Sequence, residues 1–432
     1  MPPEGRAIRP MRMRNELRAV AGAAVMALLI AGCGSNPAPR PVIAHGVAVR
    51  EPLVDPRPYG TADAAFGLDV LGAVCRSDPR SNLVLSPSSL ASGLGMAYLG
   101  ARGGTAQAMA GVLRLPAAGG QALQAGLQAR SAALRGLGGP GLTLNSSDQV
   151  WADPTLRTEA AYLNAVATGY GAGLAKAPLL TDPEQARQEI NQAIANATRD
   201  QIPQLLSPGS LDDHIGWVLT DALYLRAAWT APFDPEETSP RPFTIAGGRQ
   251  VTAQFMVGGS YQAVTADGWT AVWLPYRGGK LGMEALLPPP DSAGCALPAA
   301  TALGAMTTRL TSGHPGALTR SVSFPKVNIA TQVSLEPALT GLGMGVAFGH
   351  AADFSGLSRQ ACCIGLVEHA ATLDVGEKGT VASAATAVGV QATAGHVFAP
   401  AVTFDRPYLM VVTDRATGEP LFMARVADPS GN

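Results

Sequence analysis

Glu377-Lys378-Gly379-Thr380-Val381-Ala382-Ser383-Ala384-Ala385-Thr386-Ala387-Val388-Gly389 opens an unusual run near the C-terminus. From Thr380 through Ala399 there is no Asp, Glu, Lys, Arg or Pro, and small residues dominate with β-branched ones interspersed. Chain without proline offers every backbone N–H to a sheet ladder, and small side chains slide between two existing strands at little steric cost. In an inserted strand Thr380, Ala382, Ala384, Thr386 and Val388 would share one face. Composition alone fits a flexible Ala-rich loop or a Ser/Thr linker equally well.

The chain around this run has 432 residues, 47% hydrophobic and 15% charged. That is too apolar for a disordered protein and long enough to bury a substantial core. Length allows up to about three domains, and one large mixed domain fits equally. Lys and Arg number 31 against 32 Asp and Glu, so a generic basic surface for nucleic acid is excluded. Five cysteines are too few for a disulfide scaffold of this size. The six histidines lack metal-ligand spacing, and no cofactor is called for.

Arg12, Arg14 and Arg18 precede the uncharged stretch Ala19 to Ile30 and then Ala31-Gly32-Cys33. Basic start, short apolar core and small residues before a cut describe an export signal over 1–32, too short for a transmembrane span. Leu29-Ile30-Ala31-Gly32-Cys33 resembles a bacterial lipobox, which implies lipidation of Cys33 and anchorage to a membrane. Met11 and Met13 are alternative starts. Pro37, Pro39, Pro41, Pro52, Pro56 and Pro58 mark residues 33–59 as a tether, leaving 60–432 as one globular domain. Export places Cys75, Cys295, Cys362 and Cys363 in an oxidising compartment. In a strand the adjacent Cys362 and Cys363 face opposite sides; the pairing is otherwise open.

Ser86-Pro87 begins a helix, with Leu90, Leu94, Ala97 and Ala101 at helical spacing. Gly103-Gly104 ends it, Thr105 caps a second helix to about Leu113, and Glu184 to Leu206 forms another. Trp217 to Leu225, Ala271 to Tyr276, Gly282 to Leu287, Val322 to Ile329, Pro407 to Val412 and Leu421 to Val426 read as strands. Helices gather in the first half and strands in the second, an α+β arrangement.

Catalytic motifs are absent: no G-x-S-x-G, no H-E-x-x-H, no Walker A and no G-x-G-x-x-G after a strand. Ser323-Phe324-Pro325-Lys326 matches S-x-x-K, but Pro325 in a β-prone context opposes the helical turn that motif needs. There is no positive sign of an enzyme.

The flanks of the C-terminal run carry a resemblance. Glu377-Lys378-Gly379-Thr380 precedes it; Phe404-Asp405-Arg406-Pro407-Tyr408 and Gly418-Glu419-Pro420-Leu421-Phe422 follow. Asn82 to Ser89, Leu219 to Tyr224, Trp229 with Pro232-Phe233, Leu274-Pro275-Tyr276, Phe324-Pro325-Lys326 and Asp353 to Leu357 stand in the same register. Together these resemble the serpins, suicide inhibitors of proteases, over nearly all of the chain after the tether. The resemblance implies three β-sheets, about nine helices and an exposed reactive loop, here about 377–403. It implies that a serine protease cleaves the loop, forms an acyl-enzyme and is trapped as the loop inserts into the main sheet. It also implies a monomer.

By the same resemblance Glu377, Lys378, Gly379, Thr380, Ala382, Ser383, Ala384 and Ala385 form the hinge, with Val381 replacing a common acidic residue. Family spacing places the scissile bond between Thr393 and Ala394, within a window from Val390 to Val397. No Lys or Arg occurs there, which points away from trypsin-like targets and toward elastase-like or subtilisin-like ones. Ser86, Ser89, Asp221 and His369 match the family's shutter, and Trp229 its breach tryptophan. Asp221 stands where Asn is usual, which fits either a satisfied core network or a carboxylate beside His369 that makes sheet opening depend on pH. The competing function is a surface binding protein that keeps the fold without inhibition.

Overall fold

The computed structural model describes residues 41–292, 294–312, 318–380 and 402–431. The signal, Cys33, Val381 to Ala385 and the Thr393–Ala394 bond lie outside these residues.

In chain order the first half contains β1 (Val42–Ala44), α1 (Arg57–Ser77), β2 (Leu83–Leu85), α2 (Pro87–Gly100), α3 (Gly103–Val112) and α4 (Gly120–Arg135). Then follow β3 (Leu142–Ser146), β4 (Gln149–Ala152), α5 (Ala160–Tyr170), β5 (Leu174–Lys176) and α6 (Pro183–Thr198). The second half runs β6 (Trp217–Ala228), β7 (Ser239–Thr244), β8 (Gln250–Ala266), β9 (Trp269–Pro275), β10 (Leu281–Leu287) and α7 (Ala300–Thr311). It closes with β11 (Leu318–Pro325), β12 (Val327–Ser334), α8 (Glu336–Leu339), β13 (Val367–Gly376), β14 (Gly379–Thr380), β15 (Val402–Thr403), β16 (Tyr408–Asp414) and β17 (Pro420–Val426). Eight α-helices and two hydrogen-bonded sheets result among the described residues, an α+β fold.

The first sheet has the order β1-β5-β4-β6-β14-β13-β12, with β3 also on β6. The second has the order β15-β11-β8-β9-β10-β16-β17-β2, with β7 on β8. The three sheets implied by the resemblance thus occur as two continuous ladders. The long strand β8 serves both limbs of the second, and register slips between Arg320 and Val322 opposite the positive-φ pair Gly258 and Gly259.

α2 begins as its sequence dictates: Ser86 Oγ accepts from Ser89 N–H and Pro87 takes the first helical position. It is buried on nearly every side, which explains its apolar and glycine-rich composition. Thr105 does not cap α3; its hydroxyl accepts from Asp353 N–H, and the helix starts two residues earlier at Gly103. α6 stops at Thr198, where Arg199 turns left-handed. The Asn191 side chain then binds the main chain of Leu205 and Leu206, so the expected helix to Leu206 becomes a tail folded back on α6. Val322 to Ile329 is two strands, because the chain leaves the second sheet for the first at Pro325–Lys326.

The described part of the proline-marked stretch, from Pro41 to Asp55, is non-helical but not free. β1 pairs antiparallel with the edge strand β5. Val47 N–H then donates to Asn164 Oδ1, Val49 N–H to Thr168 Oγ1 and Glu51 N–H to Gln128 Oε1, strapping it across α5 and α4. Packing therefore begins near Val42, ahead of the boundary at residue 60 that proline content suggests. Cys75 and Cys295 form a disulfide across 220 residues, while Cys362 and Cys363 are free.

Candidate functional site

β6 and β13 are parallel partners from Leu219–Val367 to Leu223–Ala371. Beyond that point they part, and β14 enters between their C-terminal ends. Gly379 and Thr380 pair antiparallel with Gly376 and Val375 on one side and with Ala228 and Ala227 on the other. The chain turns back here because Gly379 has φ +143°, and a Cβ there would stand 2.1 Å from the Ala227 carbonyl oxygen. Only glycine fits. Thr380 is fully buried, and its hydroxyl bonds Tyr276 Oη at 2.6 Å.

Trp229 frames this entrance. Its N–H donates to Lys378 O, its Nε1 to Gly376 O, and its indole stacks on Tyr276 with centroids 4.5 Å apart. Glu377 accepts from Thr238 Oγ1 at 3.0 Å and pairs with Lys326 Nζ at 3.1 Å. Burial works against its charge, but hydrogen bonds from its own main chain, Lys326 and Thr238 hold the carboxyl below the usual range. Lys378 is exposed beside it. Lys326 and Tyr276 thus hold Glu377 and Thr380 in place, contacts that composition gave no reason to expect. Ser323 and Lys326 do not form a turn of helix: Ser323 ends up beside Arg241, and Lys326 on Glu377.

Where β6 and β13 are still closed, Asp221 Oδ1 lies 2.6 Å from His369 Nδ1. Ser86 N–H donates to His369 Nε2 at 3.2 Å. A nitrogen that accepts from a backbone N–H carries no proton, so the proton sits on Nδ1, facing Asp221. Ser89 approaches a residue that sequence reading passed over, Asp148, whose carboxylate accepts from the Ser89 hydroxyl. Asp148 occupies the break between β3 and β4, where Ser147 N–H pairs with Ala222 O. The signal for it was the polar run Asn145-Ser146-Ser147-Asp148 interrupting an apolar strand. Burial and the neighbouring Asp221 charge push the Asp148 carboxyl well above the usual range. Asp221 Oδ2 is buried without a partner. A strand entering beyond Thr380 must separate Asp221 from His369.

Residues 61–429 match the family model described as Serpin (serine protease inhibitor). Serpin B6 of Macaca fascicularis is 30% identical over 382 residues, covering 85% of this chain and 98% of that protein. The leukocyte elastase inhibitor of Bos taurus is 28% identical over 387 residues, with 85% and 98% covered. The thermophilic serpin tengpin in its native state shares the fold at a TM-score of 0.77 and 21% identity, covering 90% of this chain and all of that one.

Proposed function

Because this chain belongs to the serpin family, we propose that it is a suicide-substrate inhibitor of serine proteases. A target protease attacks the loop between Thr380 and Val402, at Thr393–Ala394 by the family's spacing, and forms an ester through its own serine. The cleaved loop then enters between β6 and β13 behind Thr380 and carries the enzyme with it before deacylation. The observation that carries this reading is the buried β14: its first two residues already occupy the path that the small residues after them would follow. The window Val390 to Val397 has no cation for a trypsin-like pocket, and one relative is named for leukocyte elastase, so the proposed target is elastase-like or subtilisin-like. Cys33 is the proposed lipid attachment site of an exported, envelope-anchored form.

The test mixes protein from Pro41 onward with elastase-like, subtilisin-like, trypsin-like and papain-like proteases. A complex with the first two that survives denaturing electrophoresis is expected, and the mass of the released C-terminal peptide identifies the bond. Cleavage everywhere with no complex and no gain in heat stability would assign the fold to binding instead.

A further inference from the structure

Among the described residues six large aliphatic side chains are exposed, and five of them, Val42, Val47, Val49, Leu53 and Val54, lie on the strap ahead of α1, between 44% and 90% open to solvent. The sixth, Leu318, stands on β11 in the other sheet. Apolar side chains scattered singly over a surface need no reason, but five between positions 42 and 54 do. The strap is not loose chain that could fold them away. β1 is paired with β5, and the N–H groups of Val47, Val49 and Glu51 are spent on Asn164, Thr168 and Gln128. The inward contacts come from Ile43 and Ala44, which pack against the core.

Charge around the strap is sparse. From Pro41 to Val54 the only acidic or basic side chains are His45, Arg50 and Glu51. α5 has no Asp, Glu, Lys or Arg. α4 has two arginines: Arg130 is buried in ion pairs with Asp63 and Glu419, and Arg135 donates to Tyr170 O. An apolar strip with so few ions enters the headgroup region of a bilayer without the cost of stripping water from charges. The covalent chain supplies the occupant. Nine residues lead from Cys33 to Val42, and nine residues of fully extended chain reach at most about 32 Å. A lipid on Cys33 would keep the strip within that distance of the membrane, so a second, weaker attachment gains from a high effective concentration.

We propose that the strap from Val42 to Val54 is a membrane-docking surface, its exposed valines and Leu53 seated in the headgroup region of the bilayer that holds Cys33. The globular body then rests on its α4–α5 side instead of swinging on a tether. This rests on the reading of Cys33 as a lipid attachment site.

The test uses the chain from Cys33 onward, which contains the whole described body. Six histidines ahead of Cys33 hold it on phosphatidylcholine vesicles carrying a nickel-chelating lipid, so docking is read whether or not the native lipid exists. Leu53→Trp is the reporter, Leu318→Trp the control and brominated phosphatidylcholine the quencher. The emission added by Leu53→Trp should fall about twofold on brominated vesicles, and that added by Leu318→Trp should not change. Val47→Glu with Val49→Glu in the reporter chain should restore the emission; both side chains are exposed, so the melting curve should stay where it was. An unquenched Leu53→Trp, equal loss at both positions, or a loss that survives both glutamates would overturn the proposal. A second copy covering the strap would appear as dimers in sedimentation, with Leu53→Trp emission that depends on protein concentration in the absence of vesicles, and would overturn it equally. The anchor is read separately, from the mass of the Cys33 peptide in the membrane fraction. An unmodified Cys33 beside a quenched reporter would refute the anchor and leave the docking surface supported.

Discussion

Asp221 and His369 are register partners across β6 and β13, joined Oδ1 to Nδ1 at 2.6 Å, and they close the sheet along the path β14 has begun to enter. Asp148 adds a second carboxyl beside Asp221, and burial together with that neighbour raises its pKa well above the usual value. The closed sheet therefore holds the Asp148 proton more tightly than an opened, hydrated one. Its stability is intact at low pH and falls as pH rises through the raised pKa. Asp221→Asn removes the repulsion, keeps an oxygen for His369 Nδ1–H and supplies an amide that can donate to Asp148. Insertion of a peptide with the sequence of residues 380–393, timed on native gels from pH 5 to 8, should be faster in wild type than in the variant at pH 8. The two should converge toward pH 5, with the ratio changing about tenfold for each 1.4 kcal/mol of repulsion removed. Identical profiles across the range would refute this account.

Thr380 is expected to decide whether the loop traps or merely feeds a protease. Its side chain is fully buried between Ala227 and Val375 and bonded to Tyr276. Thr380→Arg would put an unpaired cation there, a cost of several kcal/mol that expulsion of the hinge avoids. Protease should then cleave the variant with little or no gel-stable complex, at an unchanged rate of attack on the loop. Undiminished complex formation would show that insertion does not begin at Thr380.

The two halves of the site differed in how far the sequence disclosed them. The backbone and burial of Gly379 and Thr380 were legible, because a positive φ and a small buried side chain both leave a mark on residue type. Ser86 was legible as a helix cap, and its second role toward His369 follows from where α2 starts beneath the sheet. Asp148 was legible only as the end of a polar run; its importance comes from a break in strand pairing that brings it to Asp221 across 73 residues of sequence. Of the prolines read as a tether, Pro41 and Pro52 lie in non-helical chain while Pro58 sits in the first turn of α1, and proline content does not say what the chain lies against. Hydrogen bonds from Asn164, Thr168 and Gln128 settle that, and they are long-range.

Glu284 on β10 supplies a separate pH dependence. It is wholly buried, its Oε2 accepts from Thr307 Oγ1, its Oε1 has no partner, and burial pushes its carboxyl up to about 7. The folded-state pKa lies above the unfolded value, so stability is lost as pH rises through about 7. Glu284→Gln should add about 3 kcal/mol in urea unfolding at pH 8, from 1.4 kcal/mol per pKa unit, and little at pH 5. An equal gain at both values would place the effect in packing.

The strap ahead of α1 predicts a difference between two starting points. A chain beginning at Gly60 loses β1, the three cross-helix hydrogen bonds of Val47, Val49 and Glu51, and the first residues of α1. It also bares the edge of β5, a template for association. Compared with a chain beginning at Pro41, it should melt lower by about 1–2 °C, corresponding to about 1–2 kcal/mol, and aggregate sooner in light scattering. Coincident melting curves would show that the strap is held too weakly to matter.

Arg130 tests what anchors α2, the helix capped by Ser86 beneath the β6–β13 pair. It is 3% exposed and binds Asp63 Oδ2 at 2.6 Å, Glu419 Oε1 at 2.7 Å, Ser92 Oγ at 2.9 Å and Ser88 O at 2.7 Å. One side chain on α4 thereby ties α1, α2 and the β16–β17 turn together. Burial opposes its charge, but Asp63 and Glu419 outweigh that and hold the guanidinium ionised; Glu419 itself is pushed up by burial. Arg130→Leu strands two buried carboxyls, so a loss of about 3–5 kcal/mol in urea unfolding at pH 7 is expected. Changing Asp63 and Glu419 to Leu in the same chain removes the stranded charges, and most of that loss should return, because a packed apolar triad often equals an ionic one. Recovery would assign the cost to uncompensated charge. A triple variant as unstable as Arg130→Leu would assign it to the hydrogen bonds that hold α2 at Ser88 and Ser92, and Ser92→Ala should then reproduce part of it.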